Sequence, residues 1–287
     1  MEGLVCKESK GWRIQLIKAA VLGSPIDHSL SPLLHTIAYT ELGLESEYSR
    51  IEVKNGELEG FLKNCDSSWT GFSLTMPLKE EVLSCSKDIS EIAKRIRSAN
   101  TLVRTSDGYR ATSTDISGFT HALTAHGAEA RGQVLIIGAG ATARAVAAAC
   151  DGVATRITIM NRSPSRVQAL ANCVELSELA FISWDESEFF EEADLIISTT
   201  PEGASDSLID FFPLRPTSIF FDVLYKPWPT RACAAWGARG GQIIDGLDLL
   251  IHQGIDQVAM FSQLSFDRSH MATLMRRHGL RAVESST

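Results

Sequence analysis

The feature that most constrains this fold is an apolar strand that runs directly into a glycine turn. The segment QVLII (133–137) is an unbroken run rich in β-branched residues, which suits the central strand of a parallel sheet. The segment GAGATA (138–143) follows, a helix is predicted to Cys150, and a second apolar strand covers 157–160. Three further strands complete the alternation expected of a doubly wound α/β domain. They are predicted at 194–199, 218–222 and 242–244.

The glycine turn predicts a binding site for the pyrophosphate of a dinucleotide. Gly138 allows the tight turn, Gly140 lets the backbone approach the phosphates, and Ala143 lets the helix pack close to the strand. The amino terminus of the helix adds free N–H donors and a positive dipole end. A glycine-rich turn without a ligand is the alternative. The predicted cofactor contacts in this turn are Gly138, Ala139, Gly140, Ala141 and Thr142.

The loop after the second strand of this unit indicates which dinucleotide binds. NAD-binding domains place an Asp or Glu there, about 20 residues after the glycines, to bind the ribose hydroxyl. This chain has NRSPSR (161–166) and no acid in reach. Guanidinium groups and a hydroxyl favour the 2′-phosphate of NADP, so Asn161, Arg162, Ser163 and Arg166 are predicted to bind it. The alternative is a solvated basic loop that caps a helix.

Composition excludes several classes of protein. Of the 287 residues, 27 are basic and 35 acidic, so the formal net charge is −8, which disfavours binding to nucleic acid or to an anionic membrane surface. We expect no signal peptide, no membrane-spanning stretch and a cytoplasmic location. The six cysteines include no CxxC pair, so we expect no metal site, and reduced, buried thiols are the simplest interpretation.

Strands and helices also alternate over the first 110 residues, which predicts another α/β domain. In HSLSP (28–32), Ser29 and Ser31 stand where a helix is predicted to begin, with Ser31 as its N-cap. Two hydroxyls and the free backbone N–H groups there can bind a carboxylate, and simple capping is the alternative. In SLTMPLK (73–79), Thr75 ends a strand and Lys79 lies beyond the proline, where an ordinary solvated lysine is the alternative to a catalytic one.

Seven motifs together resemble the shikimate dehydrogenase family in their order and spacing, and the resemblance covers about residues 20–263. The motifs are DHSLSP (27–32), SLTMPLKE (73–80), SANTLV (98–103), TDISGF (114–119), GAGATAR (138–144), NRS (161–163) and DGLDLLIHQ (245–253). This resemblance implies an N-terminal α/β substrate-binding catalytic domain (1–114) and an inserted Rossmann-type NADP-binding domain (115–245). It also implies C-terminal helices (246–287) that return to the first domain.

The same resemblance implies a role for each matching residue. Lys79 and Asp115 match the family's catalytic pair. The residues that match the substrate site are Ser29, Ser31 and Tyr225 for the carboxylate, and Thr75, Asn100, Asp115 and Gln253 for the ring hydroxyls. The residues that match positions near the nicotinamide are Thr200, Val223, Gly246 and Glu91.

Four positions depart from the commonest family pattern. Ser73 and Ser113 stand where many members have Asn, Ala141 replaces a glycine, and Thr230 lacks the proline that usually follows it. A serine cannot donate and accept hydrogen bonds in the way that an amide does. These changes concern the hydroxyl pattern of the substrate, and the catalytic pair is intact.

The activity implied is the reversible, NADPH-dependent reduction of 3-dehydroshikimate to shikimate in the biosynthesis of chorismate and the aromatic amino acids. A lysine amine can donate the proton that the carbonyl oxygen gains, and an adjacent aspartate can orient the amine. A quinate/shikimate dehydrogenase that uses NAD and a non-catalytic ligand sensor are the alternatives. Arg162 and Arg166 argue against NAD, and a sensor has no need of Lys79 with Asp115. We expect small-molecule partners only, and a monomer or homodimer.

Overall fold

Two six-stranded sheets organise the chain. The computed structural model describes residues 16–184, 186 and 189–285. The elements of the first sheet and its helices are β1 (Ile17–Gly23), α1 (Ser31–Glu41), β2 (Ser46–Glu52), α2 (Leu58–Lys63), β3 (Gly71–Leu74), α3 (Leu78–Cys85), β4 (Asp88–Ile89), α4 (Glu91–Ile96), β5 (Thr101–Thr105) and β6 (Gly108–Thr112).

The second sheet and the C-terminal helices follow. Their elements are α5 (Asp115–Ala125), β7 (Gln133–Ile137), α6 (Ala141–Cys150), β8 (Arg156–Met160), α7 (Val167–Ala171), β9 (Glu178–Ile182), α8 (Phe189–Glu192), β10 (Leu195–Ser198), β11 (Ile219–Asp222), α9 (Arg231–Ala238), β12 (Gln242–Ile244), α10 (Gly246–Ser262) and α11 (Arg268–Glu284). Short 3₁₀ helices cover Pro164–Arg166 and Asp206–Phe211.

The strand directions of the first sheet gather several loops at one edge. The strand order is β2-β1-β3-β5-β6-β4. β1 runs parallel to β2 and β3, whereas β5 is antiparallel to both β3 and β6. The carboxyl ends of β1, β3 and β6 therefore meet at the same edge as the amino end of β5. The loops that carry Ser29, Thr75 and Asp115 leave from this edge, and Asn100 immediately precedes β5.

The second sheet has the order β12-β11-β10-β7-β8-β9, and its paired strands are all parallel. This is the doubly wound order, in which the direction of winding changes between β7 and β10. The predicted Rossmann-type α/β fold is therefore confirmed. Ligands of such sheets bind outside the carboxyl ends of the strands at this switch point, where Gly138 follows β7 and Thr199 follows β10.

The C-terminal helices pack against the first sheet. Leu247 and Ile255 of α10 and Met275 of α11 share an apolar core with Leu34 and Tyr39 of α1. α10 also packs along α5, and Phe119 of α5 belongs to the core of the second sheet. α5 and α10 thus form the junction between the two halves of the molecule.

Some predictions of local structure differ from the structure. The prediction that Ser31 caps α1 is wrong: Ser31 is the first helical residue and Leu30 is the N-cap, with no side-chain bond. The helical turn starts one residue earlier because Leu34 N–H already bonds Leu30 O at 3.1 Å. β4 and β9 are not among the predicted strands, because both lie at sheet edges and neither has a fully buried residue.

The described cysteines are free thiols. Cys150, Cys173 and Cys233 are buried, as predicted, whereas Cys65 and Cys85 are only half-buried. Cys6 lies outside the described residues. Within the described part of the chain, no helix combines the length and the hydropathy that crossing a bilayer requires.

Arg144 is a buried link between the two halves. It lies in the first turns of α6, where only 5% of the residue is exposed. Its Nε donates to Ile96 O at 2.6 Å, and its Nη2 contacts Arg97 O at 3.2 Å and Glu80 Oε1 at 2.7 Å. The helix that follows the glycine turn is therefore bound to the end of α4 and to the start of α3.

We predict that Arg144→Met lowers the free energy of unfolding by about 2–4 kcal/mol, because hydrogen bonds to a buried charged group contribute more than neutral ones. Chemical denaturation followed by circular dichroism measures this change. Arg131→Met is the matched control, since Arg131 is 78% exposed and pairs with the exposed Glu129, and the loss of stability in this variant should stay within about 0.5 kcal/mol. Equal losses in the two variants would contradict the role of Arg144.

Candidate active site

Lys79 and Asp115 form an ion pair at the loop edge of the first sheet. The Nζ–Oδ2 distance is 2.7 Å, and the side chains are only 18% and 6% exposed. Lys79 lies at the start of α3 and Asp115 at the start of α5. The backbone holds the lysine in place, because Lys79 O accepts Ala99 N–H at 2.8 Å. The structure thus joins the two residues that the sequence singled out as a catalytic pair.

Asn100 connects this pair to α10. Its Nδ2 lies 2.8 Å from Asp115 Oδ1, 3.0 Å from Thr114 Oγ1 and 3.1 Å from Gln253 Oε1. Its Oδ1 accepts Thr114 N–H at 2.9 Å, and Gln253 Nε2 donates to Leu250 O at 2.8 Å. Because Nδ2 carries two hydrogens, three acceptors compete for them. Asn100 Nδ2 can therefore exchange one of these acceptors for a hydroxyl of a ligand, and neither of its buried hydrogens is left without a partner.

Thr75 lies one turn before the lysine. Its carbonyl accepts Leu78 N–H at 2.9 Å, and its methyl group packs so closely on Gly23 that a Cβ on that glycine would lie 2.4 Å away. Ser24 N–H also donates to Met76 O at 3.1 Å. These contacts hold the loop after β1 against the loop after β3, so that the Ser29 loop starts beside Thr75.

Ser29, Ser31 and Tyr225 form a second polar group. Both serines are buried, and Ser29 Oγ accepts Ser31 N–H at 3.3 Å. Burial raises the pKa of Tyr225, while the neighbouring polar groups of Leu30 and Ser29 oppose that rise. Tyr225 follows β11 of the second sheet, so both halves of the molecule contribute to this group. It offers neutral hydrogen-bond donors, which suit a carboxylate.

The glycine turn has the geometry that a pyrophosphate needs. Gly138 has a φ of +111°, and a Cβ there would lie 2.5 Å from Thr199 Oγ1. Both the backbone conformation and the space therefore require glycine. α6 begins directly after Gly140 with no side-chain cap, so its first N–H groups can donate to an anion.

The basic loop faces this turn. Arg166 Nη1 lies 4.0 Å from the position that a Cβ on Gly140 would take. The Arg162 guanidinium lies 4.9 Å from the centre of the Trp184 ring, and Asn161 Nδ2 donates to Ser163 O at 2.8 Å. Both arginines are exposed, and within the described residues neither forms a salt bridge. The glycines, the open helix terminus and these cations fit a phosphorylated dinucleotide.

The remaining predicted cofactor residues lie mainly at the carboxyl ends of β10 and β11. Thr200 is buried, and Val223 N–H donates to Ser198 O at 3.0 Å. A Cβ on Gly246 would lie 2.3 Å from Val223 O, so only glycine fits where α10 starts. Glu91 differs from these residues: its side chain is 88% exposed and pairs with Lys94 in the first half.

Asp222 ends β11 with a buried carboxylate that sequence reasoning did not single out. It accepts Thr230 Oγ1 at 2.7 Å and Leu224 N–H at 3.1 Å. Burial raises the pKa of Asp222 to about 6, against the opposing effect of these two hydrogen bonds. Thr230 in turn caps α9 by accepting Cys233 N–H. The Asp222 carboxylate therefore fixes the chain that leads from Val223 to α9.

Two family models match the chain in sequence order. The shikimate dehydrogenase substrate-binding domain matches residues 21–102, and the shikimate/quinate 5-dehydrogenase model matches residues 121–209. A shikimate dehydrogenase (NADP(+)) from Thermus thermophilus is 33% identical over 267 residues, which cover 91% of this chain and 98% of that protein. The chain belongs to the shikimate dehydrogenase family.

Solved structures of the family have the same fold. The shikimate dehydrogenase of Mycobacterium tuberculosis is 35% identical, with a TM-score of 0.81 over 91% of this chain and 99% of that one. The Thermus thermophilus enzyme, solved in complex with NADP(H) and shikimate, is 33% identical, with a TM-score of 0.80 and the same coverage. The family assignment made from the seven motifs is therefore confirmed.

Two departures from the family pattern have structural explanations. Ser113 Oγ accepts Asp115 N–H at 3.3 Å and so supports the start of α5. Ser73 lies between Tyr48 and Gln257: Tyr48 Oη donates to Ser73 Oγ at 2.6 Å, which donates to Gln257 Oε1 at 2.7 Å. Gln257 Nε2 then donates to Asn100 O at 3.1 Å. A glutamine on α10 thus supplies an amide close to where many family members have an asparagine.

Gln257 was missed by sequence reasoning, although a signal existed. It lies four residues after Gln253 and therefore on the same face of α10. It is 1% exposed, and its Oε1 also lies 3.3 Å from His35 Nε2. Burial lowers the pKa of His35 to about 3, so this histidine is neutral and packs against the Tyr48 ring at a centroid distance of 4.0 Å.

We predict that Asp222→Asn flattens the pH dependence of stability between pH 4 and 6. The pKa of Asp222 in the folded protein lies above its ordinary value, so the folded state binds this proton more tightly than the unfolded state. The stabilisation is present below about pH 4 and is lost as the pH rises through about 6, by up to about 3 kcal/mol. Denaturant unfolding of both proteins at several pH values measures the difference. Parallel pH profiles would contradict the shifted pKa.

Proposed function

We propose that this protein is an NADP-dependent shikimate dehydrogenase that interconverts 3-dehydroshikimate and shikimate. The observation that carries the proposal is the shielded Lys79–Asp115 pair, hydrogen-bonded through Asn100 to Gln253. A ketone reductase needs a proton donor next to groups that recognise the neighbouring hydroxyls, and this cluster provides both. The role in the biosynthesis of aromatic amino acids follows from the reaction.

Lys79 is the proton donor of this proposal. Its Nζ gives a proton to the carbonyl oxygen that becomes the new hydroxyl, and its charge stabilises the alkoxide as it develops. The Asp115 carboxylate holds the ammonium in place and accepts a hydrogen bond from the adjacent hydroxyl of the substrate. When bound, NADPH supplies the hydride to the carbonyl carbon. In the oxidative direction Lys79 takes the proton back.

The two polar groups bind different parts of the substrate. Ser29, Ser31 and Tyr225 bind its carboxylate, because they present neutral donors at one place. The ring hydroxyls are bound by the groups around the ion pair. These are Thr75 in the loop before α3, Asn100 immediately before β5, Asp115 at the start of α5 and Gln253 on α10.

The cofactor would lie along the carboxyl edge of the second sheet. The pyrophosphate is bound by the segment from Gly138 to Thr142, and the 2′-phosphate by Arg162 and Arg166 with Asn161 and Ser163. Thr200, Val223 and Gly246 border the nicotinamide. The family resemblance adds Glu91, whose exposed side chain can turn toward a ligand.

The domain division follows the sheets. We assign residues 1–114 to substrate binding, 115–245 to cofactor binding and 246–287 to helices that complete the first domain, since α10 and α11 share its core. We further propose a cytoplasmic monomer or homodimer. Size-exclusion chromatography with light scattering would distinguish the two assemblies.

The direct test is nicotinamide absorbance while the protein is mixed with NADP and shikimate. We expect NADPH to form with shikimate, and much less product with NAD or with quinate. Turnover of quinate with NAD at an equal or higher rate would instead identify a quinate/shikimate dehydrogenase. No turnover with any of the four combinations would contradict a dehydrogenase and favour a ligand sensor.

We predict that Lys79→Met lowers kcat by about 10²- to 10⁴-fold, because a positioned proton donor contributes that much to the rate. Asp115→Asn should lower kcat and also raise the KM for shikimate. The two losses should be far from additive in the double variant, since the residues act as one unit. Steady-state kinetics measures all three variants, and binding of NADPH followed by fluorescence should be unchanged.

The control for this cycle is Lys63→Met, because Lys63 is 70% exposed and pairs with Glu59 on the same helix, α2. Its kinetics should match the unmodified protein. Near-normal turnover of Lys79→Met would show that the lysine is not the proton donor.

We also predict that replacing both Arg162 and Arg166 with Ala raises the KM for NADP by about ten- to a hundredfold or more. Charge-assisted bonds to a phosphate are worth roughly 1.5–3 kcal/mol each. The KM for NAD should change much less, because NAD has no 2′-phosphate. Arg131→Ala is the control, since this exposed arginine lies in the same half of the protein. Equal losses for NADP and NAD would contradict the assignment of the 2′-phosphate site.

A further inference from the structure

The carboxylate site of this protein lacks a formal positive charge of its own. Ser29, Ser31 and Tyr225 are neutral donors, and burial raises the pKa of Tyr225, which keeps its hydroxyl protonated. A carboxylate that moves from water into such a site loses hydration and gains only neutral hydrogen bonds. A nearby cation would offset that loss and would favour anions over neutral molecules of the same shape.

Arg50 lies beside this site. It extends from β2, the strand next to β1, and its Nε donates to Ser29 O at 2.8 Å. Its charge also lowers the pKa of Tyr225 against the effect of burial, which shows that the guanidinium lies within electrostatic reach of the phenol. Arg50 therefore contacts one member of the carboxylate site directly and acts on another through space.

The charge of Arg50 is not neutralised by a salt bridge to any described residue. The acid nearest to it along the same face of β2 is Glu52, whose Oε1 instead accepts the Ser24 hydroxyl at 2.8 Å. Other exposed arginines, such as Arg110 and Arg231, do pair with an acid. The guanidinium that bonds the backbone of the Ser29 loop therefore has no acidic partner among the described residues.

We propose that Arg50 is a specificity-determining residue, which attracts the substrate carboxylate through its charge and fixes the Ser29 loop through its hydrogen bond. This inference rests on the proposed function. Arg50 is exposed, so the attraction is screened by water and by salt. Arg50 therefore affects the binding of the substrate, and proton transfer at Lys79 does not depend on it.

The test compares Arg50→Gln, Arg50→Lys and the control Arg110→Gln, an exposed arginine of β6 with a distant acid partner at 4.0 Å. Kinetics of shikimate oxidation is measured at low and at high ionic strength, and again with the uncharged methyl ester of shikimate. We expect Arg50→Gln to raise the KM for shikimate by roughly three- to tenfold at low salt, with kcat unchanged. The KM for the ester should hardly change, and the salt dependence of kcat/KM should become weaker.

Arg50→Lys separates the charge from the hydrogen bond, because it keeps the charge and loses the planar donor group. Its KM for shikimate should stay within about twofold of the original protein. Equal damage in the Lys and Gln variants, for shikimate and ester alike, would show that Arg50 only supports the loop and would overturn the proposal. Unchanged kinetics in both variants would overturn it too.

Failure of the proposed function is distinguishable from failure of this inference. If the unmodified protein does not oxidise shikimate, the proposed function fails before any variant is compared. If the unmodified protein is active and its kcat/KM responds to salt in the same way with and without Arg50, only the inference about Arg50 fails. Thermal melting of each variant confirms that the fold is intact.

Discussion

The Lys79–Asp115 ion pair is the interaction on which the rest of the site depends. Two opposite charges with little access to water stabilise each other, because a shielded charge that loses its partner is very costly. The Asp115 carboxylate also accepts a hydrogen bond from Asn100, and the backbone N–H of Asp115 donates to Ser113 Oγ. The backbone of Lys79 is held in place because its carbonyl oxygen accepts a hydrogen bond from Ala99 N–H. The geometry of the pair is thus set by the fold itself.

Contacts between the two halves of the protein lie close in sequence to the residues of the candidate site. Arg144 connects the helix after the glycine turn to Glu80, the neighbour of Lys79. Tyr225 extends from the second sheet to Ser29 in the first half. Gly246 approaches Val223 so closely that no side chain fits between them. Two of these contacts therefore connect the second sheet to the segments that carry Lys79 and Ser29.

Sequence reasoning found the features that are encoded locally. The glycine turn, the basic loop at 161–166 and the motif around Lys79 are each carried by a few consecutive residues with fixed backbone demands, and the structure has them where they were predicted. It did not find Gln257, Arg144 or Asp222, because their roles come from partners distant in the chain, such as Ser73, Ile96 and Thr230. The N-cap of α1 was misplaced by one residue for a related reason. Two serines flank Leu30, and only the observed backbone bond from Leu34 decides which residue starts the helix.

The distribution of charge explains why the cofactor could be read from the sequence whereas the catalytic geometry could not. Arg162 and Arg166 are exposed and lack acid partners among the described residues, so their charges are solvated. Such a site needs only the right residues in one loop. Lys79 and Asp115 are paired already and come from different elements, 36 residues apart. They can pair because β3, which precedes α3, and β6, which precedes α5, end at the same edge of the sheet. Asn100 lies at this edge as well, just before β5. The strand order of the whole first sheet produces this arrangement.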